Sequence, residues 1–512
     1  MERRRRETGR GKSGAAAPLS RRRLLGTGAA AALLHALPAT AQNPATAQSP
    51  APAQSPAAPP ALNDASRLNA TPVARHWRPP SVSGDAWLEA LRAELRNAAA
   101  QGRPVSVGAA RHSKGGQARI RDGVAMTLDV NPTAGPWIRV DRGTGTYRVA
   151  AGARWRQVIG ALDPAGLSPA VMQSNHDFGV AATLSVNAHG WPVAFGPFGS
   201  TVRAFRLMLP SGELVTCSPT DNAELFGLVM GGYGLFGVVT DLDVATVDNQ
   251  LLRPTYELMP ASQLGPRLAS SVTQDATIRM AYGRLAVDAE RFLREALLVT
   301  LRPTPGTPKP VTSGGAMVTV SREVFRAQVG SDAAKRARWY AETVAGPKTS
   351  SGVASRNRLL NEPVANLAGR DRSRSDILHE YFLPPDGLEV FLAACRRIIP
   401  VSRQDLLNVT LRYVQADPVS VLAYARETRV AAVMLFSQRM TQADEADMAA
   451  MTRQLIDAAL DARGSFYLPY RLHAERAQVA RAYSRLDEFG ARKRHYDPSL
   501  LFRNTMWDRY FA

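Results

Sequence analysis

The sequence predicts an α+β fold built from more than one domain. The chain has 512 residues, of which 45% are hydrophobic, so it can bury more than one sizeable core. Apolar residues recur at helical spacing in some stretches and alternate with polar residues in others. The predicted strands follow one another through glycine turns instead of alternating strictly with helices, which favours α+β over α/β.

The first 41 residues predict an export signal. A twin-arginine motif at 21–23 precedes an apolar run over 24–37 and an Ala-Thr-Ala cleavage site at 39–41. The run is too short to span a bilayer stably. We therefore expect a periplasmic or secreted bacterial protein whose mature chain begins near Gln42. A Pro/Ala-rich linker over 42–70 follows, and the globular body is expected to start near Thr71.

The charge of the chain narrows the classes of partner. The net charge is +19, and the first 41 residues, with nine basic and two acidic side chains, contribute +7 of it. The basic remainder fits an anionic substrate, a membrane surface or simply a solvated arginine-rich face. No basic stripe is interleaved with aromatic residues, so we expect no nucleic acid. Cys217 and Cys395 are the only cysteines, and no metal-ligand spacing occurs, so we expect no disulfide framework and no metal.

A glycine-rich stretch at 104–117 is the first candidate site. An amphipathic helix over 85–101 ends at Gly102, a short strand over 105–107 follows, and small residues with a Gly-Gly pair come next. Such a loop can turn successive backbone N–H groups inward as a nest for a pyrophosphate. The alternative is an ordinary turn with a surface histidine. The candidate binding residues are Gly108, Ala109, Ala110, Arg111, His112, Ser113, Gly115, Gly116 and Gln117.

Two further stretches follow a strand over 123–130, a hairpin over 137–151 and a helix over 155–162. Residues 178–190 are mostly small, which would let a planar ligand approach the backbone closely, with Ser185 and Asn187 at its polar edge; alternatively, they form a tightly packed segment. Residues 225–240 contain a GxGxxG pattern. A helical pattern precedes it and a strand follows it, which is the reverse of the Rossmann arrangement, so we reject a Rossmann fold here.

Together, the three stretches resemble the FAD-binding domain of the vanillyl-alcohol oxidase superfamily, the PCMH-type flavoproteins. Cytokinin dehydrogenases, aldonolactone oxidases and decaprenylphosphoryl-ribose oxidases belong to that superfamily. His-Ser-x-x-Gly-Gln at 112–117, the small-residue run ending in His189-Gly190, and Gly-Gly-x-Gly-x-Phe-Gly at 231–237 occur in the family's order, over about residues 72–250. The resemblance implies a two-part FAD-binding domain over 71–250 and an α+β cap, or substrate, domain over 251–465.

The resemblance also implies roles for individual residues. FAD would lie with its pyrophosphate in the 108–117 loop, its flavin along Ser185 and His189, and its adenine by Val239. His112 matches the histidine that many members bond covalently to the flavin. Asn175 stands where bicovalent members have a cysteine, so at most one covalent bond is expected. The family's Arg-Gly-x-Gly before the histidine is Gly108-Ala-Ala-Arg111 here, and its Gly-Gly before the second loop is Ala181-Ala182. Each added Cβ crowds backbone that must approach a ligand.

The C-terminal half supplies the candidate substrate residues. Strands are predicted at 379–383, 406–413 and 431–437, with Glu380, Arg412 and Gln438 as candidates to face the flavin, and helices at 387–399 and 444–462. The resemblance implies that residues 466–512 return to the FAD domain. It also implies that Asn504 lies near the cofactor. The candidate catalytic residues are Tyr470, Arg471 and His473, with Asp177 as a further possible base.

These observations predict an exported FAD-dependent oxidoreductase. It would take a hydride from a CH–OH or CH–NH group of a small polar substrate and pass the electrons to oxygen or another acceptor. Two alternatives keep the flavin: an enzyme acting on a lipid-linked sugar at the membrane, and an electron-transfer or scaffold protein without substrate turnover. The remaining alternative is a binding protein without flavin.

Overall fold

The computed structural model describes residues 60–80, 82, 84–133, 135–311, 317–349, 352–364, 369 and 371–512. The predicted signal over 1–41 and residues 42–59 of the predicted linker lie outside the described residues. Residues 60–70, which precede the predicted start of the globular body at Thr71, pack against the glycine-rich loop. Two short antiparallel strands bracket this segment, β1 (Ala61–Leu62) and β2 (Thr71–Pro72).

The small parallel sheet carries the glycine-rich loop at its edge. Its strand order is β3-β5-β4, with β3 (Arg75–Trp77), β4 (Val105–Gly108) and β5 (Val124–Thr127). Helix α1 (Asp85–Ala100) buries Leu88, Leu91 and Leu95, which share one face at helical spacing. The loop leaves β4 directly after its last residue, so the sheet fixes where the loop starts.

A second sheet completes the N-terminal half. Its order is β10-β9-β11-β7-β6, and β8 pairs with β11. The strands are β6 (Ile138–Asp141), β7 (Thr146–Ala150), β8 (Leu167–Pro169), β9 (Val202–Met208), β10 (Leu214–Cys217) and β11 (Val238–Asp248). The helices are α2 (Trp155–Leu162), α3 (Val180–Ser185) and α4 (Ala223–Val229). Helix α4 precedes the GxGxxG segment and β11 follows it, which confirms the rejection of a Rossmann turn.

The C-terminal half is organised on one eight-stranded antiparallel sheet, ordered β15-β12-β14-β13-β17-β18-β16-β19. Its strands are β12 (Leu251–Pro260), β13 (Met280–Leu285), β14 (Glu295–Pro303), β15 (Ala354–Ser355), β16 (Arg374–Leu383), β17 (Asp405–Val414), β18 (Arg429–Arg439) and β19 (Ser465–Phe466). Its helices are α5 (Ala261–Gln274), α6 (Met317–Arg326), α7 (Asp332–Tyr340), α8 (Gly346–Thr349), α9 (Arg356–Leu360), α10 (Leu388–Ile398) and α11 (Gln442–Asp461).

The last segment returns to the small parallel sheet, as the resemblance implies. After α12 (Arg476–Ala482) and α13 (Leu486–Tyr496), Phe502 forms a parallel bridge with Val105, and α14 (Thr505–Tyr510) ends the chain. The Val105 N–H donates to the Leu501 carbonyl at 2.6 Å. These contacts tie the C-terminal segment to the strand from which the glycine-rich loop leaves.

Two searches of the described residues gave negative results. No helix among them is long and apolar enough to cross a membrane. In the same part of the chain, no group of three or more His, Cys, Asp or Glu side chains is arranged to hold a metal ion. Cys217 and Cys395 are both buried free thiols.

Candidate functional site

A cavity of about 1310 Å³ lies between the two halves of the molecule. Pockets for one small ligand usually measure about 300–1,000 Å³, so this one has room for a large cofactor together with a second molecule. Its walls contain all three stretches singled out in the sequence and one face of the eight-stranded sheet.

The glycine-rich loop forms a cradle of free backbone donors at one end of the cavity. In the described structure, no N–H group from Ala109 to Gly115 donates a hydrogen bond to a protein acceptor. Arg111 has a φ of 55° and Gly116 a φ of 70°, so the chain turns twice through the left-handed region. Seven consecutive unpaired N–H groups in a curved loop are suited to the oxygens of a pyrophosphate. The residues therefore fit the phosphates of FAD.

Residues 60–70 brace this cradle from outside. The buried Asp64 carboxylate accepts the Gly116 N–H through Oδ2 at 2.9 Å and pairs with Arg119 at 3.2 Å. The same oxygen accepts the Asn69 side-chain amide at 2.8 Å, and the Ala65 N–H donates to the Arg111 carbonyl at 3.1 Å. The segment expected to be the end of a flexible linker is thus a wall of the cofactor site.

The C-terminal segment braces the cradle from the other side. A Cβ on Gly115 would lie 1.8 Å from the Tyr470 carbonyl oxygen, so only glycine fits there without moving the backbone. The Met506 N–H donates to the Gln117 carbonyl at 3.2 Å. Asn504 lines the cavity and donates its side-chain amide to the Tyr233 carbonyl at 3.0 Å. Asn504 therefore links the C-terminal segment to the GxGxxG loop.

His112 lies in the cavity wall beside Phe178, with ring centroids 4.9 Å apart. Burial lowers the pKa of His112 below its usual value, and the nearby Asp177 opposes this shift. The ring is therefore neutral at pH 7 and keeps a nitrogen lone pair. The predicted residues Ala109, Ala110, Ser113, Ser185, His189 and Val239 also line the cavity.

The small-residue stretch is partly helical, since α3 occupies Val180–Ser185. Asn187, which was expected to face the ligand, is buried and bonded elsewhere. Its amide nitrogen donates to Asp417 at 2.8 Å and to Ser420 at 2.9 Å, and its oxygen accepts the Gly199 N–H at 2.8 Å. With a φ of 44°, Asn187 serves the turn after the helix. Close packing of the turn, and not ligand contact, explains this residue.

A buried polar triad closes the other end of the cavity. His189 Nε2 bonds to Glu380 Oε1, and the Tyr470 hydroxyl donates to Glu380 Oε2 at 3.1 Å. His189 and Glu380 are both 5% exposed. Burial, together with the charge of Glu380 and its hydrogen bond, raises the pKa of Tyr470 well above its usual value. The phenol therefore stays protonated at neutral pH, with a carboxylate ready on its far side.

Three of the four predicted catalytic residues do not line the cavity. Arg471 pairs with Glu445 of α11, and His473 bonds to the same carboxylate at 2.9 Å. Gln438, a candidate to face the flavin, also donates to Glu445, at 2.8 Å. These residues lie on the helix-covered side of the sheet. Asp177 accepts the Val364 N–H at 2.6 Å.

The cluster around Glu445 has the electrostatics of a structural ion network. Burial raises the pKa of Glu445, but hydrogen bonds from His473 and Gln438 and the charge of Arg471 outweigh it and hold the pKa at about 2. No local pattern marks Glu445 as the partner, because it lies 26 and 28 positions from Arg471 and His473 and meets them only through the packing of α11.

Arg412 does reach the cavity, as does Glu380. The Arg412 guanidinium donates to the Ser174 hydroxyl, and its Nε is buried without a partner. Two residues were missed altogether: Asp64, which lies within a Pro/Ala-rich tract, and Lys114, whose amine donates to the Asp376 carbonyl at 2.9 Å. Only the His-Ser-x-x-Gly-Gln pattern around Lys114 could have drawn attention to it.

Comparison with known proteins agrees with this geometry. Residues 88–218 match the family model of an FAD binding domain. The chain is 33% identical over 181 residues to cytokinin dehydrogenase 4 of Arabidopsis thaliana, covering 34% of each protein. It is 31% identical over 110 residues to a putative D-arabinono-1,4-lactone oxidase of Neurospora crassa, covering 22% of this chain and 20% of that one. The chain thus spans about a fifth to a third of the length of these relatives.

The fold extends beyond the matched segment. The crystal structure of 6-hydroxy-D-nicotine oxidase from Arthrobacter nicotinovorans superposes with a TM-score of 0.57 at 19% identity, covering 84% of this chain and 91% of that one. At this identity the match concerns the fold. Together with the cradle of free N–H groups, these findings show an FAD-binding domain over the matched residues 88–218, and they are consistent with the PCMH-type FAD oxidoreductases that the sequence resembles.

Proposed function

We propose that the protein is an FAD-dependent oxidoreductase that takes a hydride from a CH–OH or CH–NH group of a small polar substrate. Oxygen or another acceptor would then receive the electrons. One observation carries the proposal: a single cavity connects the N–H cradle at Ala109–Gly115 with the buried triad of His189, Glu380 and Tyr470. When bound, FAD supplies the hydride acceptor. The names of the relatives, oxidases and dehydrogenases, support the same class of reaction.

The chain supplies the means to remove the substrate proton. A general base must approach the donor atom to about 3 Å. Tyr470 lines the cavity, and its hydroxyl donates to Glu380 at 3.1 Å. A substrate O–H or N–H that donates to Tyr470 loses its proton to the phenol oxygen as the phenol proton moves to Glu380 Oε2. His189 holds the other carboxylate oxygen and keeps Glu380 in place. Arg471, His473 and Asp177 are not needed for this path.

His112 is proposed as the site of a covalent bond to the flavin. Its ring lines the cavity from within the cradle and packs against Phe178, and burial favours the neutral imidazole that such a bond requires. Among the described residues, the His112 ring makes no hydrogen bond to another side chain. A structural histidine with this degree of burial would normally have such a partner.

The absorption spectrum of the purified protein tests these proposals. We expect flavin bands that bleach anaerobically with at least one member of a panel of small alcohols and amines. After acid precipitation the colour should remain with the protein, and in His112→Ala it should pass to the supernatant. Colour in the supernatant of the wild-type protein would reject the covalent bond alone. A protein that neither holds nor takes up FAD would reject the proposed function.

Export by the twin-arginine route also stays a proposal, supported by the motif at 21–23. Fusion of residues 1–41 to a reporter that is active only outside the cytoplasm tests it. Replacing Arg22 and Arg23 by lysine should abolish the reporter signal, and an unchanged signal would contradict this route.

A further inference from the structure

Several arginines line the cap side of the cavity, and they differ in whether a carboxylate of the protein balances their charge. Arg284 and Arg338 share Glu342, at 3.0 and 2.7 Å, and Arg326 pairs with Asp376. Each of these guanidinium groups therefore has a carboxylate partner within the protein.

Arg412 differs from these three. No carboxylate of the described chain lies within ion-pair distance of it. Its one hydrogen bond goes to the neutral Ser174 hydroxyl, and Nε is buried without a partner. Arg412 is half-buried, and a cation held away from water without an ionic partner is costly. Burial lowers the pKa of Arg412, and the charge of Glu380 counteracts this shift. A guanidinium in a protein stays charged at neutral pH.

The surroundings of Arg412 relate it to the proposed reaction centre. On the sheet, Thr410 of β17 is in register with Val433, and Val433 is in register with Glu380. Arg412 is two residues from Thr410 on the same strand, so it shares the face that Glu380 presents to the cavity. Both Glu380 oxygens are already engaged, one by His189 and one by Tyr470. The charge of Glu380 acts on Arg412, but no Glu380–Arg412 ion pair forms among the described residues.

An apolar wall stands beside this cation. Trp191 and Tyr282 both line the cavity, with ring centroids 5.3 Å apart and their planes nearly perpendicular. The Trp191 indole N–H is buried and has no acceptor in the described structure. An indole nitrogen can only donate, as can a guanidinium. The Arg412 guanidinium and the Trp191 N–H can both donate to an anion, and the aromatic rings beside them can pack against its apolar part. This combination suits a small organic anion.

From these contacts we infer that the substrate carries a carboxylate, bound by Arg412, close to the carbon that is oxidised. This inference rests on the proposed function, because it places the carboxylate beside Tyr470 and Glu380. It narrows the substrate to hydroxy or amino acids with a modest apolar group. Arg412 is thus a residue that determines specificity, separate from the proton path through Tyr470.

Binding of carboxylates and of their neutral amides tests the inference. The probes are acetate, benzoate and phenylacetate, each compared with its amide, in the purified flavin-loaded protein. Perturbation of the flavin spectrum is one readout, and titration calorimetry is a second readout that does not depend on flavin. We expect at least one acid to bind about ten- to a hundredfold more tightly than its amide, as one charge-assisted hydrogen bond allows.

Variants assign that preference to a residue. Arg412→Gln should abolish the preference for the acid and leave amide binding unchanged, and Arg412→Lys should retain part of it. Arg374→Gln is the matched control, because Arg374 also lines the cavity and has no acidic partner among the described residues. It is bonded to Ser437 and lies six residues, roughly 20 Å, from Glu380 on β16. The control should keep the preference.

Three results would overturn the inference: no acid binds better than its amide, Arg412→Gln keeps the preference, or Arg374→Gln loses it equally. Equal loss in Arg374→Gln would indicate that the overall positive charge of the cavity, and not a site at Arg412, favours the acid. Failure of the proposed function gives a different result, namely a protein without bleachable flavin, in which calorimetry still reports any carboxylate preference.

Discussion

Asp64 provides the sharpest test of the view that residues 60–70 belong to the cofactor site. Its carboxylate accepts hydrogen bonds from the Gly116 N–H, the Asn69 amide and the Ser66 N–H, and it pairs with Arg119. The side chains of Asp64 and Arg119 are 2% and 6% exposed. Asp64→Ala would leave the Arg119 charge buried without its ionic partner.

The expected loss follows from that burial. Removing one partner of a buried ion pair costs about 3–5 kcal/mol, because the remaining charge is left uncompensated. Arg119 keeps its hydrogen bond to the Asn69 carbonyl at 2.9 Å, which favours the lower end of that range. Gly116 would also lose the acceptor that fixes its left-handed turn. We therefore expect both a lower free energy of unfolding and poorer flavin retention.

Urea unfolding and the flavin-to-protein absorbance ratio measure the two effects. Asp64→Asn keeps one acceptor oxygen but no charge, so its loss should be intermediate. Asp386→Ala is the matched control, because it removes an aspartate whose pair with Arg463 is exposed on both sides, at 69% each. Such pairs contribute little. If Asp64→Ala unfolds and binds flavin like Asp386→Ala, then residues 60–70 do not brace the cradle.

Two further predictions concern the acidic clusters around Glu380 and Glu445. Tyr470→Phe should slow flavin reduction by substrate by about 10²-fold or more, the usual contribution of a positioned acid–base group. Tyr467→Phe is the control, because the Tyr467 hydroxyl donates to a backbone carbonyl and not to Glu380, and this variant should not slow flavin reduction. Equal rates in the two variants would reject the role of Tyr470. Glu445 has a pKa of about 2 in the folded protein against an ordinary 4.5, so its stabilisation is complete above pH 4.5 and is lost as the pH falls towards 2. Glu445→Gln should therefore be less stable than the wild type at pH 7 in urea unfolding, with the gap narrowing below pH 4.5; a gap that does not change with pH would contradict the ion network around His473.

Local periodicity explains why many elements could be predicted. Helix α2 has the predicted bounds, Trp155–Leu162, because its apolar residues face one core at helical spacing. Strands β16, β17 and β18 contain the three predicted cap strands, each extended by one to five residues at its ends. These signals need only neighbours in the chain. The cofactor was predicted from the family resemblance. The residue types alone could not identify it, because its cradle consists of backbone N–H groups that nearly every residue carries.

Long-range pairing explains what could not be predicted. Asp64 follows a tract rich in proline and alanine, and its partners Gly116 and Arg119 are more than 50 positions away. Nothing in the local pattern distinguishes it from a solvated linker residue. The same holds for Arg412, since its lack of an acidic partner is a property of the folded surroundings.

The alternation of side chains along a strand places the Glu380 and Glu445 clusters on opposite faces of the sheet, and only the Glu380 cluster lines the cavity. On β16, Glu380 points into the cavity, whereas its neighbour His379 faces α11 and bonds to Thr452 at 3.2 Å. Thr452 also bonds to His473 at 3.1 Å, which places His473 on the helix side. A one-residue shift of β16 would exchange the two faces. The sheet thus separates the ion network around Glu445 from the proposed reaction centre, so Glu445→Gln should change stability without slowing flavin reduction, and Tyr470→Phe should slow flavin reduction without changing stability.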